Sequence, residues 1–112
     1  MIFLLSTGIK GQAETAVTEQ NTAKAMGSGT LDVFATPAMV ALMESAAYRS
    51  VAAELEPGMG TVGTLMNVEH VSATPVGMRV TAESELTEID GRRLVFTVKA
   101  FDNAGLIGTG TH

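Results

Sequence analysis

The stretch Gly29-Thr30-Leu31-Asp32-Val33-Phe34-Ala35-Thr36-Pro37-Ala38-Met39-Val40-Ala41-Leu42-Met43-Glu44-Ser45-Ala46-Ala47 decides the fold. Thr36 is a favoured N-cap residue, and Pro37 suits the first helical position, where no N–H is needed. The residues that follow are apolar on almost every side of a helix, which predicts burial and not a surface position. Glu44 interrupts that helix two turns in. A carboxylate there is costly to ionise unless it is paired or hydrogen-bonded, so it is the first candidate for chemistry.

Outward from this helix, the remaining chain reads as strands. Residues 8–18 alternate weakly and end in Ala-Val-Thr, which suits a strand; residues 20–35 are mixed, with Gly27-Ser28-Gly29 as a flexible joint. The helix spans 37–55 and stops before Pro57-Gly58. A second strand covers 60–71. A third covers 78–89, with Met78, Val80, Ala82, Ser84 and Leu86 on one face and charged or hydroxyl side chains on the other, the period of a half-buried strand. Asp90-Gly91 is a two-residue hairpin signal. Strand four turns Leu94, Phe96, Val98 and Ala100 inward, and a fifth strand covers 106–112 after Asn103-Ala104-Gly105. A long apolar helix beside consecutive antiparallel strands predicts an α+β fold, a five-stranded sheet wrapped around a central helix.

Composition narrows the function classes. The 112 residues suit a single domain, expected over 1–112 with residues 1–7 as a lead-in and the last strand cut short. Met1-Ile2-Phe3-Leu4-Leu5 is too short for a signal peptide or a membrane span. Hydrophobic residues make up 46% and charged ones 17%, so the chain is globular. Twelve acidic against seven basic residues give −5, which argues against nucleic acid or an anionic membrane as partner. There is no cysteine, hence no disulfide framework and no thiolate metal site, and the expected location is the cytoplasm. The two histidines have no metal-ligand spacing, so no metal is expected.

The candidate site residues each carry a plainer reading. In the second strand, Val62, Thr64, Met66, Val68 and His70 share a face, which turns His70 toward the helix. A histidine there can be a hydrogen-bonded core residue. Glu44 can pair with Arg49, Thr36 can simply cap the helix, and Asp32 can be a solvated loop acid. Gly63 can mark a bulge or a close backbone approach. Thr36 and Glu44 are eight residues apart, about 12 Å along a straight helix. They cannot hydrogen-bond directly within one regular helix, so if both act on one substrate either the Thr36 end bends back or one group comes from a second chain.

The joint pattern sharpens these readings. Val33-Phe34-Ala35-Thr36-Pro37-Ala38-Met39-Val40-Ala41-Leu42-Met43-Glu44, Gly60-Thr61-Val62-Gly63-Thr64 with Val68-Glu69-His70, Ala73-Thr74-Pro75-Val76-Gly77-Met78, Asp90-Gly91-Arg92-Arg93-Leu94 and Gly105-Leu106-Ile107-Gly108-Thr109-Gly110-Thr111-His112 occur in order. Together they resemble the hotdog-fold acyl-CoA thioesterases related to fluoroacetyl-CoA thioesterase. The resemblance implies a hotdog fold, a homodimer or dimer of dimers with interfacial sites, and hydrolysis of a small acyl-CoA. It implies no cofactor beyond the coenzyme A of the substrate. The family's catalytic Thr, Glu and His fall on Thr36, Glu44 and His70, and a backbone glycine of its site on Gly63. Substrate contacts are expected from Phe34, Gly63, Arg92 and Arg93, with Arg49, Arg79 and Lys99 as further cations for the CoA phosphates.

Two departures from the family are visible. Its fluoroacetyl-specific member has phenylalanines in a lid before the threonine, where this chain has Gly27-Ser28-Gly29-Thr30-Leu31-Asp32-Val33. Members usually continue past the final Thr-His into more strand. The rival readings are a non-catalytic acyl-CoA-binding module and a dehydratase built on Asp32 and His70. The first turns on whether Glu44 lies in a cleft near His70 or is paired elsewhere.

Overall fold

The computed structural model describes residues 5–112. Part of the expected lead-in, residues 1–4, lies outside the described residues. The elements are β1 (Lys10–Ala16), α1 (Ala23–Met26), α2 (Thr36–Ala52), β2 (Asn67–His70), β3 (Arg79–Asp90), β4 (Arg93–Asp102) and β5 (Gly105–Thr111). The five strands form one sheet in the order β1-β3-β4-β5-β2, and all four pairings are antiparallel. This is the expected sheet on one long helix.

The core follows from the two periodicities. Along α2, Met39, Met43, Ala46, Ala47 and Val51 are fully buried, a stripe at helical spacing. They pack on Val80, Ala82 and Leu86 of β3 and on Phe96, Val98 and Ala100 of β4, all at alternate strand positions. The helix is not buried all round, however. Ala41, Tyr48, Arg49 and Ala52 reach solvent, because within the chain the sheet covers only one side of it. Glu44 is on this open side and is half-buried.

Four local readings are corrected by the structure. Thr36 is not the helix cap: Ala35 is the capping residue and supplies no side-chain bond, while Thr36 is the first helical residue. The second strand runs over Asn67–His70, paired with Gly108–Thr111 of β5, and residues 60–66 form no strand. The mixed segment contains α1, which the Thr22 hydroxyl caps by accepting from the Ala25 N–H at 3.1 Å. In the β3–β4 hairpin Asp90 pairs with Arg93, so the linking residues are Gly91 and Arg92, with Gly91 at φ +60°.

Candidate active site

The residues singled out in the sequence gather in two places along α2. At its first turn, the Thr36 hydroxyl lies 2.8 Å from Nδ1 of His70. The geometry explains why Thr36 does not cap: its oxygen is turned to a partner on β2, 34 residues away in sequence. His70 sits at the end of β2, half-buried, on the inward face with Val68. Burial lowers its pKa from the ordinary 6.5 by desolvating the charged ring, so the neutral imidazole is favoured. Its Nε2 is buried and has no partner among the described residues. A neutral ring can accept the Thr36 proton at Nδ1 or donate to the Thr36 oxygen. In either case the pair forms a short side-chain relay that opens to solvent at the exposed Thr36.

Two turns further on, Glu44 lines an open cleft of about 240 Å³ with Ala41, Ser45, Tyr48, Thr61, Gly63 and His112. The approach here is close. A Cβ placed on Gly63 would collide with Oε2 of Glu44 and would stand 3.0 Å from Cε1 of His112. The absent side chain of Gly63 is therefore what lets residues 60–66 lie against the carboxylate. Glu44 has no hydrogen-bond or ion-pair partner among the described residues. The alternative of pairing with Arg49 is not what the structure has: that guanidinium lies 5.9 Å from the centre of the Tyr48 ring.

Thus Glu44 does lie in a cleft beside a histidine, but that histidine is His112. The sequence reading missed it. Its signal was parity: Gly108 and Gly110 of β5 and His112 just after it fall at alternate positions, and the Gly108 position abuts Met39 of α2. The His112 ring stacks on Phe96 with centroids 5.9 Å apart and 23° between planes. Its Nδ1 lies 3.3 Å from the Leu65 carbonyl oxygen.

The other expected contacts are placed differently. Phe34 is 2% exposed and belongs to the core. Asp32 is an exposed loop residue. Arg92 is exposed in the hairpin turn, Arg93 pairs with Glu88 at 3.0 Å and Arg79 with Glu14 at 2.8 Å. None of these lines the Glu44 cleft. Lys99 lines a larger cavity of about 440 Å³ across β1, β3 and β4. None of Thr36, Glu44 or His70 reaches that cavity, so its size does not make it the reactive site. Among the described residues no group of three or more His, Asp or Glu is arranged to hold a metal ion. No helix among them is long and apolar enough to cross a membrane.

Comparison with known proteins shows the family and the fold. The sequence profile of the family described as FlK, fluoroacetyl-CoA-specific thioesterase, matches residues 17–112. A curated relative from Streptantibioticus cattleyicolor, named fluoroacetyl-CoA thioesterase, is 51% identical over 81 residues. That match covers 72% of this chain and 58% of the relative, so the chain spans little more than half of its length. The crystal structure of a variant of FlK in complex with fluoroacetate and CoA superimposes with a TM-score of 0.90 at 38% identity, over 96% of this chain and 91% of that one. A hot-dog-like protein from Thermanaerovibrio acidaminovorans has the same fold, with a TM-score of 0.86 at 23% identity over 96% of this chain and 80% of its own. The architecture is the hotdog fold.

Proposed function

The chain belongs to the fluoroacetyl-CoA-specific thioesterase family, and on that premise we propose that it hydrolyses a small acyl-CoA to the free acid and CoA. One observation carries the reading: the Thr36 hydroxyl is held 2.8 Å from a desolvated His70 at the start of the same helix whose Glu44 carboxylate stands in a cleft. A thioester needs a nucleophile, a donor for the developing oxyanion and a route for protons. Glu44 serves as the base that takes a proton from water, or attacks the carbonyl carbon to give an anhydride that water opens. By either route the C–S bond breaks, the acyl group leaves as a carboxylic acid and CoA leaves as the thiol. The neutral His70 fixes the direction of the Thr36 hydroxyl, which meets the substrate carbonyl or the attacking water.

The substrate class follows from the cleft. Its roughly 240 Å³ lies below the ~300–1,000 Å³ of sites for drug-sized ligands, which favours a short acyl group. The glycine-rich Gly27-Ser28-Gly29 segment offers no aromatic ring for discriminating fluorine, so the proposal takes the reaction and leaves the acyl chain open. Arg49 lies over the ring of Tyr48, which lines the cleft; Arg92 and Arg93 remain proposed CoA contacts through the hairpin.

The assembly is part of the proposal. β2 lies at the edge of the sheet, and an open edge invites pairing. Val62 is 87% and Leu65 64% exposed just before it. Thr36 and His70 form one cluster and Glu44 another, about 12 Å along the helix. A homodimer, or a dimer of dimers, in which the Thr36–His70 pair of one chain faces Glu44 of the other would complete the site. One domain over residues 1–112 acting in the cytoplasm fits this reading. The test is thiol release from acetyl-, propionyl-, butyryl- and phenylacetyl-CoA. At least one should be hydrolysed, and Glu44→Gln should slow it by about a hundredfold, the scale of a lost general base. Tight acyl-CoA binding with no thiol release across the panel would leave a binding module instead.

A further inference from the structure

Residues 61–65 are exposed and form no strand, yet they carry Gly63, whose position against Glu44 shapes the cleft. Among the described residues one hydrogen bond reaches them, the contact of 3.3 Å between His112 Nδ1 and the Leu65 carbonyl. A carbonyl oxygen only accepts, so Nδ1 must carry the hydrogen. The His112 backbone is itself fixed by a reciprocal pair with Phe96: its N–H donates to the Phe96 carbonyl at 2.9 Å, and the Phe96 N–H donates to its carbonyl at 2.7 Å. The ring is held flat by stacking on Phe96, which is buried. A residue tied by its backbone to β4 thus presents one N–H to a segment that forms no strand.

We propose that His112 is a positioning residue of the Glu44 site: its Nδ1–H holds the 61–65 segment so that Gly63 abuts the Glu44 carboxylate. The chain of support runs Phe96, His112, Leu65, Gly63, Glu44, from sheet core to reacting group. His112 is not itself a catalytic group here. It acts by fixing a wall of the cleft, and a displacement of about an ångström at a reacting carboxylate can cost roughly a hundredfold in rate. This role rests on the thioesterase reading for its kinetic consequence and on geometry alone for its structural one.

Two substitutions separate the donor from the ring. His112→Phe keeps a ring to stack on Phe96 and loses the donor. His112→Asn loses the ring and keeps an N–H on the atom bonded to Cγ, where Nδ1 stands. The expected result for the Phe variant is a folded protein whose kcat falls roughly ten- to hundredfold with KM little changed. The Asn variant should recover most of that loss. A purely structural ring would show the reverse order. Backbone ¹⁵N order parameters of residues 61–65 provide the readout independent of activity. They should fall to below about 0.6, the flexible range, in His112→Phe and return in His112→Asn. Unchanged order parameters, or a Phe variant with wild-type kcat, would overturn the proposal. If the wild type releases no thiol from any acyl-CoA, the thioesterase reading fails, and the order parameters still decide the role of His112.

Discussion

Gly63→Ala separates catalysis from stability most sharply. The added methyl group would collide with Oε2 of Glu44 and stand 3.0 Å from Cε1 of His112 and 3.6 Å from Cδ of Glu44. Oε2 is the far end of a flexible side chain, so it yields by rotating away instead of unfolding the helix. To reach ordinary van der Waals separation the carboxylate must retreat by about 1 Å. A misplacement of that size costs about a hundredfold in rate, or roughly 2.7 kcal/mol of transition-state stabilisation. The backbone at Gly63 is not in the left-handed region, so alanine fits it. Fewer unfolded conformations then stabilise the protein by about 0.4–1 kcal/mol, set against the small cost of moving Glu44. The expected outcome is therefore a protein at least about as stable as the wild type in urea whose kcat/KM for its best acyl-CoA falls about a hundredfold. A variant with wild-type kcat/KM would show that the carboxylate's place against Gly63 does not matter. A variant that unfolds would show that the close approach supports the fold and not the site.

Three other outcomes follow from named contacts. Burial holds the pKa of His70 below 6.5, so stability from the neutral ring is present above pH 6.5 and declines as pH falls through that value toward the lowered native one. The acid limb of kcat/KM should likewise lie below pH 6.5 and vanish from the profile of His70→Gln; a limb above it would refute a neutral, desolvated His70. Gly108→Ala would bring a Cβ into contact with Sδ of the fully buried Met39, 2.8 Å from its Cε and 3.2 Å from the Glu69 carbonyl. Overpacking of this kind costs about 1–3 kcal/mol, read as a lower urea midpoint; an unchanged midpoint would mean that the β5–α2 gap has slack. Mixing Glu44→Gln with His70→Ala subunits should restore about a quarter of wild-type activity if a two-fold dimer draws each site from both chains. No recovery despite proven subunit exchange would confine the site to one chain.

What the sequence disclosed and what it hid divide along the range of the interactions. The stripe of Met39, Met43, Ala46, Ala47 and Val51 and the alternation through β3 and β4 are local, and each appears where its period predicts, whereas the helix ends at Ala52, short of the stop expected at Pro57-Gly58. Thr36 was legible as an important hydroxyl but not as to its partner, since capping preference is a property of the neighbouring residues and His70 lies across the fold. Residues 60–66 alternate like a strand, yet strand formation needs a second chain segment in register. β5 pairs Asn67–His70, while residues 61–66 form no strand; the hydrogen bond described in that stretch joins the His112 side chain to the Leu65 carbonyl. In the same stretch Val62 and Leu65 are exposed and Gly63 lies against Glu44. Thr61 and Gly63 of this stretch form part of the wall of the Glu44 cleft. The exposed apolar side chains of the stretch are the surface that a second chain would cover in the proposed shared-site dimer.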